Sequence, residues 1–192
     1  MNMKKRFSTE KKIDYYLIYT LAFGIIGLIL YLQFYLNGKS LIWSHDGVPQ
    51  HLNSLAYYGE YLRNILHSVF VEHKFEIPMW DMHIGYGSDI LTTLHYYVIG
   101  DPLTLLSVFV LPEKTEYLYA FLIFLRIYLA GIAFSRYCFY HKNSKQAVLL
   151  GSLIYIFAGW TIYAAMKHPY FANPMIYLPL ILLGIDKIYR KE

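Results

Sequence analysis

Tyr15 to Leu36 is a run of 22 residues in which only Thr20 and Gln33 are polar. Wound as a helix it reaches about 33 Å, enough to cross a hydrocarbon core about 30 Å thick. Few folds accommodate such a run, because backbone groups in lipid must pair within their own segment and a lone crossing is therefore helical. A cleaved signal peptide has a shorter apolar region and a small-residue cleavage site. This run ends in Phe34-Tyr35-Leu36-Asn37 and reads as an uncleaved first span. Composition extends the point to the whole chain. Hydrophobic residues make up 57% and charged residues 16%, against about 45–50% and about 25% in soluble domains. An ordinary soluble domain is excluded, and 21 tyrosines suit a protein with two membrane–water interfaces.

Further apolar segments follow. Tyr117 to Tyr140 is interrupted by Arg126 and Arg136, Ala147 to Met166 carries the small residues Gly151, Ser152, Ala158 and Gly159, and Pro174 to Ile188 contains Pro179. Small residues let helices approach closely in lipid. Residues 90–111 are also apolar, but Gly100-Asp101-Pro102 divides them into halves too short to span. A re-entrant or interfacial hairpin is expected there, since irregular backbone at membrane depth survives only inside protein or beside a wet cavity. The expected architecture is an all-α polytopic membrane protein with about four transmembrane helices, at 15–36, 117–140, 147–166 and 174–188. A single membrane domain results, with an extracellular loop over 37–116.

Charge orients it. Lys4, Lys5, Arg6, Lys11 and Lys12 stand against Glu10 in residues 1–12, which places the amino terminus, residues 1–14, in the cytoplasm. Lys142, Lys145, Lys187, Arg190 and Lys191 then fall on the cytoplasmic side too, provided 90–111 does not span. Net charge is +4 with no basic run on a soluble element, so nucleic acid is not an expected partner. The single cysteine, Cys138, lies in an apolar helix and excludes an intrachain disulfide. In the outer loop, Leu52, Leu55, Leu62, Ile65, Leu66 and Val69 recur at helical spacing, which predicts an amphipathic helix over 50–70 lying along the membrane surface.

Several motifs crowd this loop and its far partner. They are Trp43-Ser44-His45-Asp46-Gly47-Val48-Pro49-Gln50-His51, Leu55-Ala56-Tyr57-Tyr58-Gly59, Pro78-Met79-Trp80-Asp81, Ile84-Gly85-Tyr86-Gly87 and Thr92-Thr93-Leu94-His95-Tyr96-Tyr97-Val98-Ile99-Gly100-Asp101-Pro102. Later come Arg126-Ile127-Tyr128-Leu129-Ala130-Gly131 and His168-Pro169-Tyr170-Phe171-Ala172-Asn173-Pro174. Together they resemble the bacterial YfhO family over nearly the whole chain. The resemblance implies a GT-C-like fold and a glycosyltransferase that uses a polyprenyl-phosphate sugar outside the cytoplasmic membrane. Its implied acceptor is a cell-envelope polymer such as lipoteichoic acid. Family members are several times longer, so the resemblance also implies an amino-terminal portion of such a protein.

Asp46 leads the residues fit for that chemistry. A carboxylate within hydrogen-bond reach of an acceptor hydroxyl can take its proton, and an aspartate before Pro49 can equally cap a helix. Enzymes of the GT-C type place an aspartate in the first outer loop, and the resemblance therefore favours Asp46 as the catalytic base. Asp101 reads as a second acid, a charge partner or the cap of a helix starting at Pro102. Arg126 lies near mid-depth of its span, where a guanidinium grips a lipid phosphate or forms an internal salt bridge to Asp101 or Asp46. Arg136 sits near the cytoplasmic end, where it snorkels.

His45, His51, His95 and His168 match no compact metal motif, and local hydrogen bonding or acceptor positioning is expected of them. Some GT-C enzymes use a divalent cation, so the resemblance leaves Asp46 with Asp101 as a hard-ligand pair for Mg or Mn. Asp81 and Asp89 rank lower. Trp80, Tyr96 and Tyr97 suit a sugar face or an interfacial anchor. Lys167, His168 and Asn173 form an outer turn within reach of a lipid phosphate or serve as a polar helix cap. Two rival readings accompany glycosyl transfer: a transporter or lipid flippase, for which broken helices and mid-membrane charges speak, and a non-catalytic truncated fragment.

Overall fold

The structure is a computed structural model and describes residues 3–191, with side chains from Asp14 to Lys191. The side chains of the basic amino terminus, Lys4 to Lys12, lie outside the described residues. The described residues are mainly helical, with irregular stretches over 37–46 and 71–79. In order the chain forms α1 (Met3–Leu36), α2 (Asn53–Phe70), β1 (Trp80–Asp81), β2 (Ser88–Asp89), α3 (Ile90–Leu94), α4 (Thr115–Tyr140), α5 (Lys145–Ile156), α6 (Gly159–Lys167) and α7 (Asn173–Tyr189). Wider π-helical turns at Gly47–Leu52 and His95–Ile99 adjoin α2 and α3, and 3-10 turns fill Pro102–Phe109, Pro112–Lys114 and Pro169–Ala172. Asp14–Leu36, Pro112–Tyr140 and Pro169–Tyr189 are long and apolar enough to cross a membrane. The pair α5 and α6 makes a fourth crossing if the two count as one bent span.

Two compact units divide the chain. The first comprises residues 1–41, 125–164 and 171–192. Its centre is a hydroxyl chain between helices. Ser135 donates to the Gly131 carbonyl at 2.6 Å, and its oxygen is reached by the Tyr15 hydroxyl at 2.7 Å and by Ser152 at 2.9 Å. Tyr19 is fully buried and donates to the Tyr128 carbonyl at 2.9 Å. A Cβ at Gly131 would run into that phenol, which is why this position carries no side chain. On the other face of α1, Leu21, Ile25, Leu28 and Ile29 are 58–64% exposed. A continuous apolar face of that kind fits hydrocarbon and not water.

Two interruptions in this unit are repaired by side chains. The expected single span over 147–166 is broken: α5 stops at Ile156, and α6 leaves at an angle of 45°. No proline marks the break; Phe157 turns out of helical geometry, and the Thr161 hydroxyl donates to the released Tyr155 carbonyl at 3.1 Å. In α7, Pro179 has no N–H for the carbonyl four residues back, and that carbonyl, on Met175, accepts from the Tyr155 hydroxyl at 3.1 Å. Both repairs follow the requirement that backbone at membrane depth be paired.

The second unit comprises residues 42–124 and 165–170. Its first helix starts at Gly47, three residues before the predicted 50–70, because the π turn continues directly into α2. α2 buries Leu55, Tyr58 and Gly59 against the Pro102–Phe109 turn. A Cβ on Gly59 would sit 2.6 Å from the Ser107 carbonyl oxygen, so the two backbones touch here. Arg63 donates to the Val110 carbonyl at 2.7 Å, just past the 3-10 turn, and shares the Ser107 carbonyl, at 3.1 Å, with the Val110 amide. A two-stranded antiparallel hairpin pairs Trp80 with Asp89 and Asp81 with Ser88. Its short strands have no alternating apolar pattern to predict them. Asp89 then caps α3 through the Thr92 amide at 2.7 Å, and Asp101 caps the next turn through the Leu103 amide at 2.9 Å.

Candidate functional site

The second unit gathers Asp46, His51, Lys167 and His168 around the irregular start of α2. Asp46 precedes the π turn, and its backbone carbonyl accepts from the amides of Gln50 and His51, both at 3.1 Å. Its carboxylate makes no cap bond, which removes the helix-cap reading of this residue. Instead Oδ1 accepts from the Gln50 side-chain amide at 3.1 Å, and Gln50 accepts from the Tyr97 hydroxyl at 2.9 Å. The carboxylate is thus held by a side chain one turn away while remaining 38% exposed. Its second oxygen faces His168 Nε2 at 4.0 Å.

His168 continues inward. Its Nδ1 lies 3.1 Å from His51 Nε2, so one ring donates and the other accepts. His51 is buried, and the Tyr170 hydroxyl stands 3.3 Å from its Nδ1. Burial, reinforced by the neighbouring His168, pushes the His51 pKa down to about 4, with Asp46 pulling the other way. His51 is therefore neutral at ordinary pH, and the His–His contact carries a single hydrogen bond and no repulsion. Lys167 places its ammonium 3.3 Å above the Trp43 ring, and Trp43 stacks on His45 at 5.1 Å. Trp43 also meets the His168 ring edge-on at 6.1 Å, so a cation, a carboxylate and three imidazoles are linked in one cluster.

The other expected residues lie elsewhere. In the first unit, Arg126 is 3% exposed and its Nε donates to Asn173 Oδ1 at 3.1 Å. Asn173 begins α7, so this bond joins α4 to α7. Asp101 is buried with its cap occupied. His95 donates Nδ1–H to the Thr92 carbonyl at 2.7 Å, which fixes its tautomer locally. Trp80 stands on the hairpin, 60% exposed. Gln50, Tyr97 and Tyr170 belong to the Asp46 cluster although the sequence reading assigned them no part there. Gln50 had a usable signal, lying four residues from Asp46 on helical backbone.

A divalent cation finds no donor set here. Among the described residues no group of three or more His, Cys, Asp or Glu side chains is placed to hold a metal ion. Asp46 is engaged with Gln50, and Asp101 with the Leu103 amide. The residues present do not fit the Mg or Mn expectation.

Long apolar helices, internal repair of broken backbone and a polar cluster on a loop-rich unit define a polytopic α-helical membrane protein. The chain belongs to the YfhO family: the family described as bacterial membrane protein YfhO matches residues 18–192. No curated protein and no solved structure is significantly similar to it.

Proposed function

We propose that the chain serves in a membrane glycosyltransferase of the bacterial cytoplasmic membrane, moving a sugar from a polyprenyl-phosphate donor to an extracellular cell-envelope acceptor such as lipoteichoic acid. The observation that carries this reading is the Asp46 carboxylate, oriented by Gln50, open on one side, and 4.0 Å from an imidazole. In the proposed step an acceptor hydroxyl gives its proton to Asp46 as its oxygen attacks the sugar's anomeric carbon. The carbon–oxygen bond to the lipid phosphate breaks, its electron pair leaves with the phosphate, and the anomeric centre inverts. Lys167 is assigned to the departing phosphate, as the cation next to His168 in the chain. His168 accepts the proton from Asp46 in turn, and His51 keeps His168 oriented. A phosphate contact needs an accessible cation, so Arg126, enclosed with Asn173, is assigned to holding α4 and α7 together. The cytoplasmic amino terminus and outer-face loop belong to the same proposal, resting on the positive-inside bias.

Family membership and the loop-borne carboxylate support this reading. The rival transporter or flippase reading is favoured by the 45° break between α5 and α6. The test is transfer of labelled sugar from a polyprenyl-phosphate donor by the chain and by its Asp46→Asn variant. Loss of transfer in the variant supports the base assignment. Lipid translocation without any transfer supports the rival.

A further inference from the structure

A second site lies away from Asp46, where the hairpin meets α2. There a cleft of about 470 Å3 is lined by Tyr57, Glu60, Tyr61, Asn64, Trp80 and Asp81, among others. Its walls are rigid for identifiable reasons. Tyr57 and Tyr61 stand one turn apart on α2 with rings nearly parallel, 13° between planes. Their hydroxyls are committed outward from α2 to the hairpin side: Tyr57 donates to Asp81 Oδ2 at 2.6 Å, and Tyr61 donates to the Pro78 carbonyl at 3.0 Å. Asp81 is occupied at its other oxygen too, accepting from the His83 backbone amide at 2.8 Å. These bonds hold the Asp81 pKa down at about 2, so the carboxylate is a fixed anion and part of the wall.

Trp80 supplies the platform. Gly87, at φ +106°, brings bare backbone against the indole, and a Cβ there would lie 3.2 Å from Nε1 and 3.3 Å from Cζ2. Only glycine suits both that φ and that spacing. The indole N–H is directed to Met82 Sδ at 3.3 Å. The ring is therefore located by the hairpin yet left 60% exposed beside the cleft.

Glu60 and Asn64 differ from the other lining groups. They sit four residues apart on α2, line the same cleft, and make no side-chain hydrogen bond among the described residues. Two uncommitted polar side chains beside an exposed indole form a recognition surface: the ring covers an apolar C–H face, and the carboxylate and amide receive or supply hydroxyl hydrogen bonds. Charge narrows the ligand. The lining holds Glu60 and Asp81 and no lysine or arginine, and its His83 is taken up by Asp81 at 2.9 Å, so a phosphate is disfavoured and an uncharged ring is not.

We infer that this cleft binds an uncharged sugar ring, stacked on Trp80 and hydrogen-bonded by Glu60 and Asn64. Naming that ring as a part of the acceptor remote from its reacting hydroxyl rests on the glycosyl-transfer reading; the binding itself does not. The test places the whole chain in lipid nanodiscs free of glycolipid and measures saturation-transfer NMR with glucose, N-acetylglucosamine and, as a charged control, glycerol 3-phosphate. A neutral sugar is expected to bind in the millimolar range, and Trp80→Ala to weaken it about tenfold. Glu60→Gln and Asn64→Ala, at exposed positions that leave the fold alone, are expected to weaken it as well, while Asp46→Asn leaves it unchanged. Absence of sugar binding, preference for glycerol 3-phosphate, or binding indifferent to Trp80, Glu60 and Asn64 overturns the inference. A chain that binds sugar through Trp80 but never transfers one overturns the glycosyl-transfer reading alone.

Discussion

His51 Nε2 and His168 Nδ1 lie 3.1 Å apart although 117 residues separate them in the chain. The contact ties the start of α2 to the segment after α6, and it sets His168 between a buried neutral ring and the Asp46 carboxylate.

That burial has a pH signature. The folded pKa of His51, about 4, lies below its ordinary value of 6.5. The unfolded chain therefore binds more protons between those values. Stability from this site is complete above pH 6.5 and is lost as pH falls toward 4. Thermal midpoints measured across that window should fall with acidification in the native chain. The fall should be shallower in His51→Gln, and identical slopes would contradict neutral burial.

Pro179 and Tyr155 should show coupling. Tyr155→Phe leaves the Met175 carbonyl unpaired in α7, and interhelical hydrogen bonds in membranes average about 0.6 kcal/mol, with a maximum near 1.7. Pro179→Ala restores an N–H for that carbonyl. In a double-mutant cycle the Tyr155→Phe cost should largely vanish in the Pro179→Ala background. Additive costs would mean the hydroxyl is not replacing the missing N–H.

Gly59→Ala sets two effects against each other. Alanine is a better helix former than glycine by about 1 kcal/mol. Its Cβ, however, would lie 2.6 Å from the Ser107 carbonyl oxygen, and backbone cannot rotate away. Overpacking of this kind costs about 1–3 kcal/mol, so the variant should be destabilised on balance. Denaturant or thermal unfolding in detergent reads the sign.

Asn173→Ala removes one acceptor of a buried guanidinium. Hydrogen bonds to charged groups contribute about 1.5–3 kcal/mol, and the variant should lose stability of that order. Asn173→Asp, which keeps an acceptor, should lose less; equal losses would show that the oxygen is not what matters.

The long helices were readable because some twenty consecutive apolar residues need no tertiary information to be recognised, and the cap at Asp101 was one of the alternatives that Gly100-Asp101-Pro102 offered. The α5–α6 break was not readable: Phe157-Ala158 contains neither proline nor a charge, and its repair depends on Thr161 reaching back to Tyr155. The hairpin was hidden because each strand is only two residues long. Asp46 stood out by the family resemblance, whereas its link to His51 through His168 exists only once residues 117 apart are folded together. Arg126 and Asn173 were each singled out, but local spacing gave no sign that they pair.

The central claim rests on Asp46, and the most direct measurement is sugar transfer from a labelled polyprenyl-phosphate donor by the chain in membranes, compared with Asp46→Asn. Removing a general base is expected to slow transfer by about 10²–10⁴-fold, with the variant's thermal midpoint unchanged. Transfer at the native rate by a folded Asp46→Asn protein would contradict the account.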